Sequence, residues 1–173
     1  EQSRQVASVM ADKSRKAMDL AMELLQGYDE AKAEQVAQME TDVDRFEDEL
    51  GTYLVKLSSR QLSGKDSETL NTILHCIGDF ERISDHARNV KEAAQEMYDK
   101  KLDFSDKAQE ELKVFERAVH DILDITMNSF IKGDLNLARQ VEPMEEVIDG
   151  LSLDVKQRHV RRLRKGKCTI ELG

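Results

Sequence analysis

Between Val36 and Leu57 the apolar side chains fall at Val36, Met39, Val43, Phe46, Leu50, Tyr53 and Leu57, in alternating steps of three and four. Only an α-helix brings residues at that spacing onto one line, and so narrow a seam needs partner helices to cover it. The step recurs at Ile73, Cys76, Phe80, Ile83, Ala87, Val90, Ala94 and Met97. It recurs again at Leu112, Phe115, Val119, Ile122 and Thr126, and at Val141, Met144, Ile148, Leu151 and Val155. Val6 to Leu24 follows it more loosely, through Met10, Ala17, Leu20 and Leu24. Five amphipathic helices are therefore predicted. The breaks carry turn chemistry: Gly27 to Asp29, with Asp29 a predicted N-cap, Ser63 to Asp66, Leu102 to Asp106, and Gly133 with Asp134. Loops this short favour antiparallel neighbours, so the expected fold is an all-α, up-and-down helical bundle. Pro143 falls inside the fifth helix and should kink it or loosen its first turns.

The pattern repeats at a larger scale. Gln35 to Asp44, QVAQMETDVD, aligns without gaps on Gln140 to Asp149, QVEPMEEVID, at an offset of 105 residues. The seams match as Val36 with Val141, Met39 with Met144, Val43 with Ile148, Phe46 with Leu151 and Leu50 with Val155. Asp19, Met22, Asp29 and Ala33 pair in the same way with Asp124, Met127, Asp134 and Ala138. The first two helices thus return as the fourth and fifth. The expected organisation is a three-helix unit over 1–101 and a second over 102–173, cut after its second helix, in a chain that is itself a fragment. A missing sixth helix would leave an apolar groove for a neighbouring chain to fill, so a homo-oligomer is one expectation.

Composition agrees: one Pro, 8 Gly and 35% charged residues leave little material for an all-β domain. No apolar run approaches the ~20 residues that span a bilayer, and the polar start is unlike a signal peptide. Cys76 and Cys168 stand far apart with no CxxC spacing, which suits a reducing compartment, and the chain reads as cytoplasmic. Charge is unevenly spread. Seven Lys and Arg against Glu171 alone occupy 156–173, while the other 19 basic and 34 acidic residues put 1–155 at −15. The acidic body counts against nucleic acid, and no aromatic residue interleaves the basic segment to stack bases. Arg158, Arg161, Arg162 and Arg164 read either as the basic last turns of a helix, complementing its macrodipole, or as a contact for the cytoplasmic membrane face.

Acids recur four apart at Glu40 with Asp44, Glu81 with Asp85, and Glu145 with Asp149. Such pairs lie one turn apart on one face and can present two carboxylates to a hard cation. In a chain with 35 acids roughly seven such pairs arise by chance, so a merely solvated face is the alternative. Two of the three pairs, however, occupy equivalent repeat positions. Glu40 and Asp44 flank their seam, whereas Glu81 and Asp85 fall on a largely outward side, so a metal would sit on the bundle surface. Around Glu81 the segment GDFERISDHARN also gathers Asp79, Arg82 and His86, as an ion-pair network or a cation site. His75 and His120 read as structural, and Cys76, on the seam, as a small buried thiol. Glycine-rich phosphate loops, GxSxG, HExxH and ExxH are all missing from the sequence, so no catalytic residue is assigned.

With its repeat and the segment Asp79, Glu81, Arg82, Asp85 and His86, the chain resembles the PhoU family of phosphate-uptake regulators. That family is built from two three-helix repeats, whose third helices carry a motif like D-x-E-R-x-x-D-H and whose second helices carry E/D-x-x-x-D. Spacing and ending look closest to the cytoplasmic domain that follows the membrane part of bacterial sodium–phosphate cotransporters. The resemblance implies a non-catalytic regulatory or accessory role in phosphate transport, through contact with a transporter or sensor. It also implies surface clusters of iron, zinc or another divalent metal. Glu40, Asp44, Glu81 and Asp85 would form the first cluster, and Glu145 and Asp149 half of a second. The rival readings are a structural interaction bundle without metal and a membrane-surface module acting through Arg158 to Lys167.

Overall fold

The computed structural model describes residues 1–169, so Glu171 and the rest of the last four positions lie outside the described residues. Five long α-helices and one short one follow in order: α1 (Gln2–Gln26), α2 (Glu30–Ser58), α3 (Gly64–Lys100), α4 (Asp106–Lys132), α5 (Leu135–Ala138) and α6 (Val141–Arg164). There is no strand among the described residues. The protein is an all-α helical bundle. The chain divides into two compact units, Glu1–Glu96 and Met97–Gly173, with the boundary inside the last turns of α3.

Helix ends form where the turn residues stand. Asp29 caps α2, its carboxylate accepting from the backbone N–H of Lys32 at 2.8 Å. Asp134, its partner at the 105-residue offset, caps α5 by accepting from the N–H groups of Asn136 and Leu137. At the start of α3 the Ser63 hydroxyl accepts from the N–H of Asp66 and donates to its carboxylate, so two groups of that first turn satisfy each other. The last carbonyls of α3, α4 and α6 are met by a residue in the left-handed region: Lys101 (φ 53), Gly133 (φ 66) and Gly166 (φ 63). Lysine holds this conformation at a cost that glycine avoids. Lys101→Gly is therefore expected to raise stability by about 0.5–1 kcal/mol, read as a shift of the thermal midpoint.

In the first unit the helices run antiparallel in order. Lys13 pairs with Asp42 at 2.6 Å and Lys32 with Glu23 at 2.6 Å, which sets α1 against α2. Hydrogen bonds from Lys13 and then Gln38 hold the Asp42 carboxyl below its ordinary range. Arg88 pairs with Glu40 while Gly51 lies against Ile77, which sets α2 against α3. The core is Ala7, Met10, Ala11, Ala17, Met18, Ala21 and Leu24 of α1, Ala33, Val36, Val43, Leu50 and Leu54 of α2, and Leu70, Ile73, Ile77, Phe80, Ala87 and Ala94 of α3. Small side chains let α1 approach α3 closely, and the buried Ser14 hydroxyl lies 2.8 Å from the Phe80 carbonyl and 2.9 Å from that of Met10.

Three expectations change at this level. Tyr53 is 54% exposed and Leu54 takes its place in the core. A straight helix of 3.6 residues per turn drifts about 20° per heptad from a 3.5 seam, and three heptads carry Tyr53 off it. On α3, Ile77 and Ser84 are buried, whereas Cys76 and Ile83 are only half-buried. Burial, and then Asp79, push the Cys76 thiol above its ordinary value, so it is a poor nucleophile. Finally, the predicted fifth helix is split into α5 and α6. Pro143 cannot donate to the Arg139 carbonyl and its ring would strike that oxygen, so the helix stops at Ala138 and restarts two residues before the proline.

In the second unit α4 packs against α5 and α6. Of its described residues, Met127 is the buried side chain of α4, and α5 and α6 have none. The seam residues Leu112, Phe115, Val119, Ile122, Met144, Ile148, Leu151 and Val155 are half-buried.

Candidate functional site: an acidic ledge between α2 and α3

Glu40 stands four residues after Val36, and Glu47 four after Val43, so both flank the buried stripe of α2 on the side turned to α3. Antiparallel packing sets the stretch 40–47 of α2 beside 81–88 of α3. Glu81 consequently feels Asp85, Glu47 and Asp44. The ledge thus joins all four acids expected for the first cluster and adds Glu47, whose place beside the stripe was the signal for it.

Burial first, then repulsion by Asp85, Glu47 and Asp44, holds the Glu81 carboxyl above its ordinary value. Glu81 and Asp85 are half-buried rather than outward, because the drift that buries Ile77 and Ser84 turns this side of α3 toward α2. The ledge carries its own cation. Arg88 Nη1 donates to Glu40 Oε1, and Arg88 Nη2 lies 3.3 Å from Asp85 Oδ1. The Glu40 side chain is only 13% exposed, so this pairing compensates a nearly buried carboxylate. The network expected around Glu81 exists, but Arg88 makes it. Asp79, Arg82 and His86 are exposed and make no ion pair among the described residues.

A divalent metal does not fit the carboxylates as they stand. Among the described residues no group of three or more His, Cys, Asp or Glu is arranged to hold one. Glu145 and Asp149 are exposed on α6 of the second unit, without an ion pair among the described residues.

The raised carboxyl of Glu81 has a consequence with a definite sign. Between its unfolded and folded titration ranges the folded chain holds more protons, so stability falls as pH rises through that window. Glu81→Gln, whose amide can donate to Asp85 as the protonated acid would, should raise the thermal midpoint at pH 7 by the equivalent of about 1 kcal/mol or less. The gain should vanish below about pH 4, where the acid is protonated in both states. Melting curves of the two proteins at pH 4 and 7 measure this difference.

At the basic end of the second unit, Arg162 turns inward and pairs with Glu111 at 2.7 Å, leaving its side chain 16% exposed. Arg158 pairs with the same carboxylate at 3.5 Å. Arg161 and Arg164 stay exposed in the last turns of α6. A cavity of about 550 Å³ lies between the start of α4 and the end of α6, lined by Phe104, Leu112, Val155, His159 and Arg162 among others.

Comparison with known proteins bears on the first unit above all. The PhoU domain model matches residues 7–94, just over half of the chain and the whole of the ledge. The chain is similar to the phosphate-specific transport system accessory protein PhoU homolog 1 of Thermotoga maritima, at 25% identity over 154 residues. That alignment takes in 88% of this chain and 66% of the relative's length. No solved structure matches. A bundle of this order, with its D-x-E-R-x-x-D-H segment facing the α2 acids and a family match over both, belongs to the PhoU domain family.

Proposed function

We propose that this chain is a non-catalytic regulatory or accessory module of phosphate transport and phosphate signalling, acting by contact with a transporter or sensor protein. The observation that carries the reading is the PhoU domain match over residues 7–94, which takes in α2, most of α3 and the ledge between them. The Thermotoga maritima relative, named as an accessory protein of phosphate-specific transport, supports it. Deleting the chain in its own cell should raise phosphate uptake, or a phosphate-starvation reporter, in phosphate-replete medium. No change in either would remove the reading.

A finer version has the module work at the cytoplasmic membrane face, as the PhoU-like domain of a sodium–phosphate cotransporter. No helix among the described residues is long and apolar enough to cross a membrane, so any span would be supplied from outside them. The exposure of Arg161 and Arg164 supports a lipid-facing edge, from which Arg162 is withdrawn by Glu111. Arg161→Glu with Arg164→Glu should abolish sedimentation with anionic vesicles at low salt. Undiminished sedimentation would exclude this edge.

A further inference from the structure

We infer that Arg88 is the resident cation of the α2–α3 ledge and that its guanidinium keeps a divalent metal ion off these carboxylates. Arg88 Nη1 donates to Glu40 Oε1, and Nη2 lies 3.3 Å from Asp85 Oδ1, so one guanidinium bridges the two helices. It thereby joins one acid from each of the two E/D-x-x-x-D pairs, Glu40 with Asp44 and Glu81 with Asp85. A metal ion needs oxygens from both pairs at once, because a lone exposed pair leaves most of its coordination to water. With Glu40 taken and 13% exposed, Asp44 alone is left to offer oxygens from the α2 pair, while Glu81 and Asp85 on α3 are hydrogen-bonded to each other.

Arg88 and a dissolved divalent ion compete for the same carboxylates. Guanidinium is charged at every pH a folded protein meets, and its planar fork suits carboxylates on two helices. A divalent ion entering the ledge must either displace it, leaving Arg88 beside a second positive charge, or bind with fewer carboxylates. Because Arg88 is part of the chain, its effective concentration at the ledge exceeds that of a dissolved ion. The ledge is then permanently bridged, and the first unit folds and keeps its α2–α3 register without metal.

The test compares the wild-type chain with Arg88→Met, which keeps the aliphatic stem and removes the charge, and with Arg88→Lys, which keeps the charge. Each is melted in EDTA and in millimolar Mn²⁺ or Zn²⁺, and Mn²⁺ binding is measured by calorimetry at pH 7. The wild type and Arg88→Lys should melt at the same temperature in EDTA and in metal. Arg88→Met should melt lower than wild type in EDTA, recover with metal, and bind Mn²⁺ at least tenfold more tightly than wild type. Adding Glu40→Gln to Arg88→Met should remove the recovery, which separates binding at the ledge from binding elsewhere on an acidic surface. An Arg88→Met chain that folds in Mn²⁺ but not in EDTA gives the same answer in stronger form. Metal binding by the wild type as tight as by Arg88→Met, no metal response in either, or an Arg88→Met chain unfolded under both conditions would overturn the inference.

Discussion

Phe80→Ala is expected to destabilise the first unit by about 3–5 kcal/mol, while Tyr53→Ala, at an equally apolar seam position, should change it by less than about 0.5 kcal/mol. Phe80 is 4% exposed at the centre of α3, and its carbonyl lies against Ser14 of α1. Truncation leaves a cavity walled by helices that cannot close without giving up their other contacts. Tyr53 is 54% exposed on α2, so its ring is already largely in water. Loss of several kcal/mol is a large share of the 5–15 kcal/mol that holds an ordinary domain together. Urea unfolding followed by circular dichroism separates the two, and equal losses would mean that α2 keeps its strict heptad seam.

A larger side chain at Ser14 should be as harmful as a smaller one at Phe80. Ser14 is fully buried, and its hydroxyl is 2.8 Å from the Phe80 carbonyl, so the α1 and α3 backbones meet there with one oxygen between them. Ser14→Leu must push the helices apart or force its own side chain off-rotamer, at about 3 kcal/mol or more. Ser14→Ala gives up only the hydrogen bond, at about 1 kcal/mol. The order Leu far below Ala, and Ala just below wild type, should appear in melting temperatures. A Ser14→Leu chain as stable as wild type would show that α1 and α3 do not approach this closely.

The positions of these two residues explain what could be read in advance. Helix number, the Asp29 and Asp134 caps and the glycine at the end of α4 follow from local rules: a 3.6 period, a carboxylate able to accept from a free N–H, and a left-handed residue that glycine tolerates. The role of α1 was not legible. Its buried stripe is Ala7, Ala11, Ser14, Ala17 and Ala21 with Met10, Met18 and Leu24, and alanine or serine carries little apolar signal although it permits the closest packing. Which member of a neighbouring pair is buried was equally hidden. Ile77 rather than Cys76, Ser84 rather than Ile83 and Leu54 rather than Tyr53 are choices of helix rotation, a few tens of degrees that the partner helices set.

The ledge divides along the same line. Glu40, Asp44, Glu81 and Asp85 are recognisable from spacing because four residues make one helical turn. That Glu47 joins them, that Arg88 rather than Arg82 answers their charge, and that Glu81 is half-buried depend on α2 lying antiparallel to α3 with 40 beside 88.

By itself the amino-acid order determined everything whose cause lies within about one turn of helix: where helices form, where they stop, and which acids share a face. Tertiary structure alone decided which of those faces meet, and with them the core contact of Ser14 and the cation of the ledge. The reason is range. Period and capping act through hydrogen bonds between near neighbours in the chain, whereas helix rotation and cross-helix charge pairing are settled by contacts between residues that lie 48 and 66 positions apart.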